Sequence, residues 1–167
     1  MEETFAKYIN VNGELMDLSR PQVMGILNVT PDSFYADSRK QAEEDIVNRV
    51  HQIIEEGGCI IDIGAYSSRP DAEDVSPEEE MKRLKHGLQV IRREFPDAIV
   101  SADTFRADVA RMCVEEYGTA IINDISAGAW MQTMFSTVAK LKVPYIMMHM
   151  QGNPQKHAKE SALPASG

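Results

Sequence analysis

A parallel α/β fold is what this chain of 167 residues predicts, on three observations. Five short apolar runs, residues 23–27, 59–63, 98–102, 119–122 and 143–148, read as strands, and the first has the continuous character of a strand covered on both faces, the type found in parallel sheets flanked by helices. Each run gives way to a polar cluster that begins, in order, with Asn28, the 64–70 loop, Asp103, Asn123 and His149. Stripes of helical period separate successive runs, so the order is a repeated strand and helix.

The elements follow in order. Residues 8–11 and 14–17 flank Asn12-Gly13, a short hairpin signal, and this hairpin is expected to lie as a lid on the amino-terminal end of the sheet. The first parallel strand stops at Asn28, where Pro31 biases Thr30 toward extended backbone and shapes a turn. Ile46, Val50, Ile53 and Ile54 mark the apolar face of a helix ending at Gly57-Gly58. The next helix carries Met81, Leu84, Leu88 and Ile91. Ser76 suits its cap, Pro77 its first position, and Glu79 completes a capping box. Glu78-Glu79-Glu80 reads as a solvated first turn favoured by the helix dipole, with little functional weight. Val109, Met112 and Cys113 form a third stripe before Gly118, and Met134, Phe135, Val138 and Leu141 a fourth.

At 43% apolar and 26% charged residues the composition is that of an ordinary globular domain. A net charge of −9 excludes nonspecific nucleic-acid or anionic-membrane binding as the main role. Cys59 and Cys113 supply no disulfide framework and read as core thiols, which places the chain in a reducing, cytoplasmic setting. The acidic start is no signal peptide, and no apolar stretch is long enough to span a bilayer.

Ligands of parallel α/β folds bind at the carboxyl ends of strands. One Asx residue there is ordinarily a turn former or cap; five polar strand ends together predict a shared pocket. Arg69, in a loop after two hydroxyl residues and before Pro70, suits an anion clamp, with surface charge as its competing role. Asn28 suits a magnesium ion that bridges protein oxygen to substrate phosphates, with capping as the alternative. Asp103 and Asn123 offer a carboxylate acceptor beside an amide that donates and accepts, matching a flat heterocycle with an amino-pyrimidinone edge. His149 alone reads as a satisfied strand-end histidine.

Residues 24–34, 62–70, Asp103-Thr104, 122–125 and 148–152 occur in an order that closely resembles dihydropteroate synthase, a TIM (β/α)8 barrel family, over residues 8 to 155. The segment Leu27-Asn28-Val29-Thr30-Pro31-Asp32-Ser33-Phe34 is highly specific. The resemblance implies joining of 6-hydroxymethyl-7,8-dihydropterin diphosphate to p-aminobenzoate, giving dihydropteroate and pyrophosphate, and it implies a sulfonamide target. Asp103 and Asn123 resemble the pterin-edge readers, with Ile125 and Met148 packing the ring. Asn28 resembles the Mg2+ and pyrophosphate ligand and Arg69 a pyrophosphate clamp, while Phe34, Ser68 and Pro70 fall near p-aminobenzoate. Asn28, Arg69 and Asp103 are the residues expected to carry the chemistry.

The chain departs from the family in three places. Its second loop reads Gly64-Ala65-Tyr66-Ser67-Ser68-Arg69-Pro70 where the family commonly has Gly-Gly-Glu-Ser-Thr-Arg-Pro, and Asp37 stands one position from the usual acidic residue of the first loop. The resemblance covers the first five βα units of the barrel behind the hairpin, giving a division into 1–22 (hairpin), 23–155 (partial barrel) and 156–167 (divergent tail). The family's late pterin and pyrophosphate ligands and its homodimer contacts have no counterpart here. That break is expected from a frameshift or premature stop, with two exposed strand edges and doubtful turnover by this chain alone. Two further readings stand beside the synthase: a noncatalytic pterin-binding fragment, and the pterin-binding domain of a methyltetrahydrofolate methyltransferase. The methyltransferase lacks a pyrophosphate for the 28–34 loop and Arg69 to hold.

Overall fold

A computed structural model describes residues 7–29, 36–66 and 75–148. Phe34, Ser68, Arg69, Pro70, His149 and the 156–167 tail lie outside the described residues. The order is β1 (Tyr8–Val11), β2 (Glu14–Asp17), β3 (Met24–Asn28), α1 (Ala36–Glu55), β4 (Ile60–Gly64), α2 (Pro77–Glu94), β5 (Val100–Asp103), α3 (Ala107–Tyr117), β6 (Ile121–Asp124), α4 (Met134–Leu141) and β7 (Tyr145–Met147). The strands β3-β4-β5-β6-β7 form one parallel sheet in chain order. Each neighbouring pair is joined by a helix that packs on its neighbours, which is the arrangement of five successive strands in a (β/α)8 barrel.

The hairpin forms as expected. Asn12 and Gly13 both have positive φ (52° and 89°), which a type I′ turn requires and which these two residues tolerate best. Val11, with Ile9 and Met16 beside it, packs on Ile60, Ala120 and Ile121 at the amino-terminal ends of the parallel strands. The hairpin therefore closes the end of the sheet opposite the polar loops.

Alternation along the strands separates two faces. Leu27, Ile63, Ala102 and Ile122 stand in register and join the helices in one core with Val50, Leu84, Leu88, Ile91 and Val109. Ser76 caps α2, its hydroxyl accepting from the Glu79 amide at 3.2 Å, with Pro77 at the first position. The Glu79 carboxylate turns forward instead of back, accepting from Arg83 Nε at 2.8 Å. Gly118 ends α3 in the left-handed region (φ 63°), where a side chain would cost energy.

Four expectations are corrected by packing. Val23, which precedes β3, and Ile26 are 58% and 59% exposed; Ile26 lies on the face of an outer strand opposite Leu27, away from the helices. Ile54 and Phe135 are also largely exposed; each lies on the shoulder of its stripe, and Phe135 instead meets the Tyr145 ring edge-on. Cys59 is only half-buried and precedes β4, its thiol donating to Gln22 Oε1 at 3.2 Å, whereas Cys113 is a core thiol. Glu80 is 0% exposed, not a solvated member of an acidic turn. Among the described residues no helix is long and apolar enough to cross a membrane.

Leu88 is fully buried, so Leu88→Ala is expected to lower unfolding free energy by about 2–5 kcal/mol. Ser76→Ala should remove about 1 kcal/mol through the lost cap. Denaturant unfolding of both variants checks the ranking.

Candidate functional site

The parallel register brings the polar strand ends into one row. Asn28 pairs with Gly64, Gly64 with Asp103, and Asp103 with Asn123, on the face opposite the helices. One step toward the amino-terminal end, Ile26, Asp62 and Ser101 form the next row. Adjacent strands lie about 4.8 Å apart, so Asn28 and Asp103 are separated by about 10 Å. That span suits a bicyclic ring with a short substituent. Gly64 keeps the row open between them: a Cβ there would come within 3.4 Å of Asp103 Oδ2.

Asn123 is buried, and its Nδ2 donates to Asp62 Oδ2 at 3.0 Å. This tie alters the amide's expected role. One donor is used within the protein, while Asn123 Oδ1 and Asp62 Oδ1 are buried acceptors without a partner among the described residues. Asp62 is the site residue that sequence reasoning missed. The available signal was a carboxylate in the middle of the apolar run 59–63, where a strand in a covered sheet needs none.

The carboxylates respond to burial. Desolvation, then the nearby charges of Asp62, Glu80 and Asp124, push Asp103 up to about 7. Burial likewise raises Asp62, with the polar neighbours Ser101 and Asn123 opposing it. Asp124, fully buried at the end of β6, is by contrast well supplied with donors. Its Oδ1 accepts from the Ser126 amide and hydroxyl at 2.8 Å each, and its Oδ2 from the Gly128 amide at 3.0 Å and the Tyr145 hydroxyl at 2.6 Å. Asp124 thus shapes the turn that carries Ile125. Burial and the Asp124 carboxylate raise the Tyr145 pKa.

Ile125 is half-buried beside Asn123, and Met148, at the end of β7, is 43% exposed. The structure therefore brings Asn28, Asp103, Asn123 and Ile125 to the ends of β3, β5 and β6, with Gly64 of β4 between the first two, and adds Asp62 beneath them. Among the described residues no group of three His, Cys, Asp or Glu side chains is arranged to hold a metal. Asn28, exposed at the end of β3, offers one neutral oxygen. That fits a hydrated magnesium ion shared with substrate phosphates, not an all-protein cage.

Parallel strands with a row of carboxylate and amide groups at their carboxyl ends define an α/β protein of the class whose ligands bind at strand ends. The family model described as "Pterin binding enzyme" matches residues 24–165, and the chain belongs to that family. More particularly, it is similar to dihydropteroate synthases of known structure. The Yersinia pestis enzyme, solved as a sulfonamide drug complex, superposes with a TM-score of 0.76 and 34% identity, covering 95% of this chain and 56% of that one. The Xanthomonas albilineans enzyme, solved with 4-aminobenzoic acid, gives 0.74 and 36%, covering 89% and 53%. The mitochondrial folate synthesis bifunctional protein of Arabidopsis thaliana is 40% identical over 156 residues, 92% of this chain and 28% of that protein. The chain thus spans about half the length of the solved relatives and less of the bifunctional one.

Because Asp103 holds its proton more tightly folded than unfolded, where a carboxylate titrates near 4, the folded state binds more protons between about pH 4 and 7. Stability present at low pH is therefore lost as pH rises through that window. Asp103→Asn is expected to flatten this part of the profile and to unfold at higher temperature than the parent at pH 8. Melting curves from pH 5 to 8 test the sign.

Proposed function

We propose that this chain supplies the pterin-reading and pyrophosphate-holding strand ends of a dihydropteroate synthase. The reaction condenses 6-hydroxymethyl-7,8-dihydropterin diphosphate with p-aminobenzoate. The observation that carries this reading is the in-register row Asn28, Gly64, Asp103, Asn123 above the Asp62 to Asn123 hydrogen bond. With one N–H of the Asn123 amide engaged, the pocket presents the acceptors Asp103, Asn123 Oδ1 and Asp62 Oδ1. These match the ring N–H and exocyclic amine of an amino-pyrimidinone edge. Ile125 and Met148 would pack the ring faces.

With the ring held at β5 and β6, its substituent would run toward the end of β3. There Asn28 and Arg69 would hold the diphosphate. A magnesium ion, when bound by Asn28 and the phosphates, supplies positive charge against that building on the leaving group. The arylamine nitrogen forms a bond to the ring methylene as the carbon–oxygen bond breaks. Pyrophosphate departs with that electron pair, and the amine proton passes to solvent. Phe34, Ser68 and Pro70 would contact the arylamine, which a sulfonamide would mimic. The protein's part is positioning and charge stabilisation. The two free thiols fit a reducing compartment such as the cytoplasm.

Calorimetric titration with the pterin diphosphate tests this. Binding is expected to weaken when magnesium is chelated. Asp103→Asn and Asn123→Ala should each weaken it by about 10- to 100-fold, the scale of hydrogen bonds made to charged or buried groups. Equal binding of hypoxanthine, which lacks the exocyclic amine, would sink the assignment.

A further inference from the structure

Asp124 has no part in the chemistry above, yet it joins the two residues placed against the ring faces. It stands in register with Met147 at the ends of β6 and β7, directly before Ile125 and across from Met148. Its main-chain carbonyl accepts from the Met148 amide and from the Ala127 amide, each at 3.1 Å. Its carboxylate, 0% exposed, takes donors from both strand ends. The Ser126 amide and hydroxyl and the Gly128 amide come from the turn that carries Ile125, and the Tyr145 hydroxyl comes from β7.

The turn is held in a conformation that its residues do not favour. Ala127 and Gly128 both have positive φ (50° and 79°), a region that alanine rarely adopts. Strain of this kind persists only where surrounding contacts impose it, and it clusters at ligand clamps. Tyr145 also reaches the turn by a second route. A Cβ on Gly128 would come within 2.5 Å of Phe135 Cε2, and the Phe135 ring meets that of Tyr145 edge-on at 5.7 Å. The far end of the loop is pinned separately, by Trp130 against Phe105 and by the Ala107 amide donating to Met131 Sδ at 2.9 Å. Asp124 therefore governs the near turn and the adjoining end of β7, the two places that carry Ile125 and Met148.

We propose that Asp124 is a positioning residue that, with Tyr145, fixes the spacing between Ile125 and Met148 and so the width of the slot for a flat ring. The inference deepens the proposed function and rests on it for placing those two residues against the ring. Spacing matters because ring-face contacts are short-ranged: a gap of about 0.5–1 Å forfeits about a quarter to a half of each dispersion contact. A carboxylate serving the turn alone would find its donors in Ser126 and Gly128 and would need none from β7.

Two measurements on the whole chain test it, with Asp124→Asn and with Tyr145→Phe, which keeps the ring on Phe135 and removes only the hydroxyl. The first needs no ligand. Amide hydrogen exchange in Tyr145→Phe is expected to quicken by about tenfold at Ser126, Gly128 and Met148 together, the scale of one lost hydrogen bond to a charged group, while the β4 and β5 amides stay within about twofold. Quickening confined to Ser126 and Gly128, or none, would overturn the link between the two strand ends. The second titrates 6-hydroxymethylpterin and pyrophosphate separately. Asp124→Asn should weaken the pterin by about tenfold, as misplacement of a binding group does, Tyr145→Phe by a smaller factor, and pyrophosphate should stay within about twofold in both. Equal loss of both probes, or loss of neither, would refute positioning. If Asp124→Asn does not fold, Tyr145→Phe carries both tests. If the parent chain binds neither probe, the proposed function fails and the exchange result alone decides the link.

Discussion

Parallel pairing with no register shift, from β3 to β6, is the constraint on which the rest of the molecule depends. It aligns Leu27, Ile63, Ala102 and Ile122 toward the helices and, one residue further along each strand, Asn28, Gly64, Asp103 and Asn123 toward the opposite face. Because side chains alternate with a period of two, a slip of one residue in any strand would exchange core for site. The apolar layer against α1 to α3 therefore enforces the geometry of the polar row: the same burial that stabilises the sheet aligns the groups proposed to read a ligand.

Three buried carboxylates and the half-buried Asp103 lie at or near this end of the sheet, and each is accommodated differently. Asp124 is surrounded by donors and builds a turn. Glu80 is matched by Arg106 and Thr104. Asp62 shares the Asn123 amide and keeps one oxygen without a partner, and Asp103 has the raised affinity for a proton that burial among like charges produces. The first two are structural solutions to the cost of burying charge. The last two leave acceptor capacity that a donor-rich heterocycle would satisfy, and this difference in satisfaction marks where ligand chemistry belongs.

Above the row, side chains from three successive strand ends interlock. Tyr66 follows β4, Phe105 follows β5 and Trp130 lies between β6 and α4, each ring edge-on to the next. Tyr66 occupies the position at which the resembled family commonly carries glutamate. In this chain an aromatic contact takes that place, and the Arg106 charge is met by Glu80 from α2.

Hairpin, helix order and the strand-end residues Asn28, Asp103 and Asn123 were legible in the sequence because each rests on local rules: turn chemistry at Asn12-Gly13, the cap at Ser76, and abrupt changes from apolar to polar at strand termini. Glu80 was not, since a carboxylate in a capped first turn looks solvated until α3 brings Arg106 against it from 26 residues away. Asp62 was passed over because nothing local distinguishes a site carboxylate in a strand from an imperfection in an apolar run; its meaning appears only when Asn123, 61 residues on, donates to it. Ile26, Ile54 and Phe135 were over-assigned to the core for the same reason, as periodicity finds a face but not its edges. The sequence by itself determined which polar residues end the strands and hence where the proposed chemistry would be placed. Tertiary structure decided which carboxylates are paired and which are left for a ligand, because burial and pairing depend on contacts between elements far apart in the chain.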